Sequence, residues 1–157
     1  MKTLKAKTLI TLMAIITLGI ASNNLHNNES VEIKTDKTDK AKIKSVVNTY
    51  VLGGDQQSVS QLESVMHDNY RVIINDLNEG IIKELDKSTY LGFIEKKAFG
   101  GEERKIEIES ISISNEVNSI VVLKMTSNKA IFHSQFSLVK VDSKWWIIQD
   151  LVQMEIK

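Results

Sequence analysis

The sequence predicts an α+β domain in which N-terminal helices pack into a strongly curved antiparallel sheet. Three observations predict it. An apolar stripe at helical spacing opens at Ile43, the hydrophobic period changes to two beyond His67, and four long strand-like segments separated by turn formers run from residue 104 almost to the end. The 157 residues suffice for one hydrophobic core.

Taken in order, Lys2, Lys5 and Lys7 precede an apolar run over residues 8–21 that closes on Gly19, Ile20 and Ala21, the layout of a cleaved export signal. The run is shorter than the roughly twenty residues a spanning helix needs. Residues 1–21 are therefore read as a signal peptide, with a periplasmic or extracellular destination and no stable membrane anchor after cleavage. Residues 22–38, rich in Asn, Glu and Lys, are read as a disordered polar leader, and residues 39–157 as the folded domain.

Within the domain, Ile43, Val46, Val47, Tyr50 and Val51 form one helical stripe, capped near Asp39 and stopped by Gly53 and Gly54. A short helix capped by Ser58 or Ser60 buries Leu62, Val65 and Met66. Residues 70–75 and 81–85 flank a loop of turn formers and read as a hairpin. A third helix, capped by Asp86 or Ser88, carries Tyr90, Phe93, Ile94 and Ala98 on one side and is ended by Gly100 and Gly101. Strands over residues 104–114, 118–127, 129–141 and 144–155 follow. In the first of them Ile106 and Ile108 are even-numbered while Ile111 and Ile113 are odd. That slip at Glu109 and Ser110 is read either as a β-bulge or as a strand buried on both faces.

Composition excludes several functions. With no cysteine there is no thiolate metal site, cysteine nucleophile or lipid anchor on cysteine. Basic and acidic residues number 20 each, and cleavage of the signal would leave 17 against 20, so no nucleic-acid partner is expected. His67 and His133 are not at metal-ligand spacing, and no metal or cofactor is expected. No nucleophile elbow or phosphate-binding glycine loop occurs.

The order helix, short helix, hairpin, helix and four-strand meander resembles the nuclear transport factor 2-like superfamily, a cone-shaped fold shared with ketosteroid isomerases. More closely, residues 43–54, then Leu62, His67, Asp68, Tyr90 and Phe93, and finally residues 136–148 including Trp145 and Trp146, are similar to the exported bacterial proteins called putative lumazine-binding. Against the isomerases, the resemblance implies that Tyr50 matches a catalytic tyrosine, but the base position falls at or near Ile74 and the acidic-donor position near Gln135. Asp76, two residues past Ile74, is either a displaced base or a turn aspartate.

The resulting expectation is a cone pocket that binds a small, partly aromatic molecule without catalysis. Its candidate lining is Tyr50, Tyr90, Phe93, His133, Gln135 and Trp145, with the Tyr50 hydroxyl reaching Gln135 or His133. The alternatives are a pocket enzyme of isomerase or hydrolase type using Tyr50, Asp76 or His133, and a structural or dimerising domain. Because Trp145 and Trp146 must face opposite sides of one strand, an outward tryptophan and a homodimer through the outer sheet face are expected as well.

Overall fold

The computed structural model describes residues 24–157, with side chains from Asp36 onward; the signal-peptide assignment lies outside the described residues. Helix α1 (Asn24–Asp55) is followed by α2 (Val59–Glu63), the hairpin β1 (Met66–Asp76) and β2 (Ile81–Asp86), helix α3 (Lys87–Glu95), and strands β3 (Lys105–Ser114), β4 (Asn118–Thr126), β5 (Ala130–Val141) and β6 (Lys144–Ile156). The helix begins well before Asp39, so residues 24–38 are helical rather than a disordered leader. That stretch contains no Gly or Pro to stop a helix, and Asp36 pairs with Lys40 one turn on.

Asp39 is accordingly not a cap. It sits inside α1, 3% exposed, and its carboxylate receives Lys140 Nζ at 2.6 Å, which ties α1 to β5. One face of α1 buries Ile43, Val47, Tyr50 and Val51. Gly53 and Gly54 do not stop the helix, which runs on to Asp55. They permit close approach instead: a Cβ on Gly53 would lie 3.0 Å from Leu62, and one on Gly54 would lie 2.6 Å from the Arg104 guanidinium. Ser58 caps α2 by accepting from Gln61 N–H, and Asp86 caps α3 by accepting from Thr89 N–H. Helix α3 ends at Glu95, ahead of Gly100 and Gly101, in a turn where Lys97 has φ +58°.

The six strands form one curved, unclosed sheet in the order β2-β1-β6-β5-β4-β3. Four neighbouring pairs are antiparallel, as expected of the curved sheet, and β1 and β6 run parallel. The meander closes back on the first strand after the α3 crossover, so its last strand meets β1 in the same direction. Tight turns with positive φ at Asn115 and Glu116 and at Asp142 and Ser143 join β3 to β4 and β5 to β6. The slip in β3 is a bulge: Ile108 pairs with Leu123, Ser110 with Val122, and Glu109 is left over. The core lies between the concave sheet face and the helices, with Tyr50, Tyr70, Phe136 and Trp145 its largest fully buried side chains.

Candidate functional site

Between the concave face and α3 lies a cavity of about 310 Å³. Val72 and Ile74 of β1, Met125 of β4, Phe132 of β5 and Val152 and Met154 of β6 give it apolar walls, and Tyr50, Tyr90 and Phe99 bring in aromatic rings from the helical side. The rings pack on one another: Tyr50 and Tyr90 stack with centroids 6.3 Å apart, and Phe136 meets Tyr50 edge-on at 5.1 Å.

One carboxylate lines this cavity from its base. Asp150 is 4% exposed, and it faces inward because β6 carries a second bulge. Leu138 pairs with Ile147 and Ser137 with Gln149, so Ile148 is unpaired and the inward positions pass from Trp145 and Ile147 to Asp150 and Val152. The Tyr50 hydroxyl donates to Asp150 Oδ2 at 3.4 Å and shares a 2.6 Å hydrogen bond with the Tyr70 hydroxyl. Asp150 Oδ1 and the Ser134 hydroxyl are both buried and make no well-formed hydrogen bond, although Ser134 is close enough to act on the carboxyl. Burial pushes the Asp150 carboxyl up to about 7, against the pull of Ser134, Arg104 and Tyr50. Burial likewise drives Tyr50 and Tyr70 well above the usual phenol range, so both remain hydrogen-bond donors at neutral pH.

At the other end, Arg104 lines the cavity with its charge compensated. Its Nε donates to Asp55 at 2.5 Å, its Nη2 to the Val51 carbonyl at 2.9 Å, and its guanidinium lies 5.8 Å from the Phe132 ring centroid. Glu102 and Lys129, also in the lining, form an ion pair with each other.

Residues 38–151 match the family described as "Putative lumazine-binding". The chain belongs to that family. Its fold is shared with solved structures of NTF-2 like proteins of unknown function. One from Silicibacter pomeroyi is 15% identical with a TM-score of 0.66, over 78% of this chain and 98% of that one. Another, from Shewanella baltica, is 17% identical with a TM-score of 0.66, over 75% of this chain and 94% of that one. No curated protein matches the chain.

Within this nuclear transport factor 2-like cone the predicted lining residues separate. Tyr50 and Tyr90 reach the cavity. Phe93 does not; it is half-buried and stacks on Phe99 at 4.8 Å. Trp145 is 1% exposed but packs in the core beside Lys140, away from the cavity. His133 and Gln135 are on the opposite sheet face, in a shallow groove with Leu151 and Gln153, because β5 turns Phe132, Ser134 and Phe136 inward. The Tyr50 hydroxyl therefore meets Tyr70 rather than Gln135 or His133. Asp76 is a turn residue whose Oδ1 accepts from Asn78 and Glu79 N–H. Ile74 stands on the cavity wall where the isomerase resemblance expects a base, Gln135 lies outside the cavity, and a carboxylate reaches the cavity from β6 as Asp150.

Proposed function

We propose that this protein is a binding protein for a small, partly aromatic molecule held in the cone without chemical change. The observation that carries the reading is the combination of an aromatic-walled cavity of about 310 Å³ with a single polar focus at its base, Asp150 beside the Tyr50 and Tyr70 hydroxyls. The polar groups at the base are already engaged with one another, Tyr50 with both Tyr70 and Asp150. Ile74 occupies the wall where the isomerase resemblance expects a base, and Glu102, the other carboxylate of the lining, is engaged by Lys129. The name of the family points to a flat heteroaromatic ring, which such walls would sandwich. The N-terminal signal pattern supports export, and the outer face of the sheet supports pairing of two copies.

The test is untargeted mass spectrometry of small molecules released from the purified protein, compared with an Ala98→Trp variant that plugs the mouth. A stoichiometric aromatic compound present in the parent and lost in the variant is the expected result. A parent that carries nothing, and whose cavity resonances no member of an aromatic fragment panel shifts, would overturn the reading.

A further inference from the structure

The base of the cavity is incomplete in a specific way. Asp150 Oδ2 accepts from Tyr50, which in turn bonds Tyr70, while Oδ1 has the Ser134 hydroxyl near it but makes no well-formed hydrogen bond. Leaving a buried carboxylate short of donors is costly, and Asp150 lines the cavity, so a positively charged group held there would be matched by its carboxylate. The same cavity is lined by the rings of Tyr50, Tyr90, Phe99 and Phe132. Aromatic faces are the negative side of the ring quadrupole and attract cations.

Resting on the binding function proposed above, we infer that the cone selects an organic ammonium carrying an aromatic or apolar body, its charged nitrogen against the Asp150 carboxylate and its body among the tyrosine and phenylalanine rings. Every titratable or charged group facing Asp150 is compatible with this. Tyr50 on α1, Tyr70 on β1 and Tyr90 on α3 are kept neutral by burial, and Arg104 ahead of β3 is matched by Asp55. Glu102 and Lys129 at the mouth compensate each other. The one net charge available to a ligand is negative and belongs to Asp150.

The experiment compares phenethylammonium with its neutral isostere 2-phenylethanol by NMR titration of the full chain. The ammonium should bind at least about tenfold more tightly at pH 8, since a buried charge pair discriminates by more than one factor of ten. Its affinity should fall roughly tenfold from pH 8 to pH 6, because a cation binds the carboxylate and must displace the proton that Asp150 takes up below about 7. Asp150→Asn should abolish both the preference and the pH dependence. Equal affinity of the two probes with cavity resonances shifting would overturn the ammonium assignment and leave the pocket standing. If neither probe perturbs the cavity, the binding function falls with it. The wild-type pH dependence decides the matter independently should Asp150→Asn fold poorly.

Discussion

At the scale of single residues, Asp150 links the cavity to stability. An aspartate titrates near ~3.9 in an unfolded chain, and here burial raises it to about 7. The folded state therefore holds the proton more tightly, and its contribution to stability is fully present below about pH 4, then lost as pH rises toward 7. The loss is on the order of 3–4 kcal/mol. Urea unfolding of the parent should show stability falling across that window. Asp150→Asn should flatten the slope and be the more stable of the two at pH 8; a parent with the same slope as the variant would refute the assignment of Asp150 as a buried acid. Tyr50→Phe should behave differently. It leaves the Tyr70 hydroxyl and Asp150 Oδ2 each without the partner that now serves them, so a cost of about 1–3 kcal/mol is expected at pH 7. Removing that donor should also move the midpoint of the pH-dependent loss upward, which the same titration reads.

At the scale of elements, most boundaries were legible because periodicity and turn chemistry agree. The β3 bulge shows in the parity of Ile106, Ile108, Ile111 and Ile113, since polar residues separate them. Its counterpart in β6 does not show: Trp145, Trp146, Ile147 and Ile148 are apolar in both parities, so nothing in the sequence marks Ile148 as the extra residue. That ambiguity hides Asp150 from the sequence, whereas β5 separates its sides, Phe132, Phe136 and Leu138 sharing one parity and His133, Gln135 and Ser137 the other, so an inward placement of His133 and Gln135 runs against the alternation. Asp39 shows a similar limit, for a polar residue before an apolar stripe reads as a cap unless its distant partner is known. Burial pushes its carboxyl up, but Lys140, Trp145 and Lys42 together outweigh this and hold it below the ordinary value. Lys140→Met should cost about 1–3 kcal/mol, since the buried Asp39 loses its 2.6 Å partner and keeps only the more distant Lys42. Adding Asp39→Leu to that variant should recover most of the loss in denaturant titrations, since the pair replaced by apolar residues no longer needs matching.

For the whole molecule, the sheet separates two surfaces of different character. Its concave side and the helices enclose the cavity, whereas its convex side exposes Ile120 at 45% and Leu151 at 41%, with Val122 and Gln135 between them. Pairing in the ladder puts these residues on strands β4, β5 and β6 at neighbouring positions, so they form one continuous patch rather than scattered exposed side chains. Trp146 also points to this side, half-buried beneath the Lys144 ammonium at 3.5 Å. A two-fold pairing of such a patch with itself would cover the exposed isoleucine and leucine and leave the cone mouth, on the other side of the sheet, free to load. Light scattering at micromolar concentration should then return twice the chain mass, and the double variant Ile120→Lys, Leu151→Lys should return the chain mass. Because neither residue contributes to the cavity, that variant should keep the ammonium titration of the parent unchanged. A parent that is monomeric, or a monomeric variant that has lost the titration, would show that the two faces do not divide the work in this way.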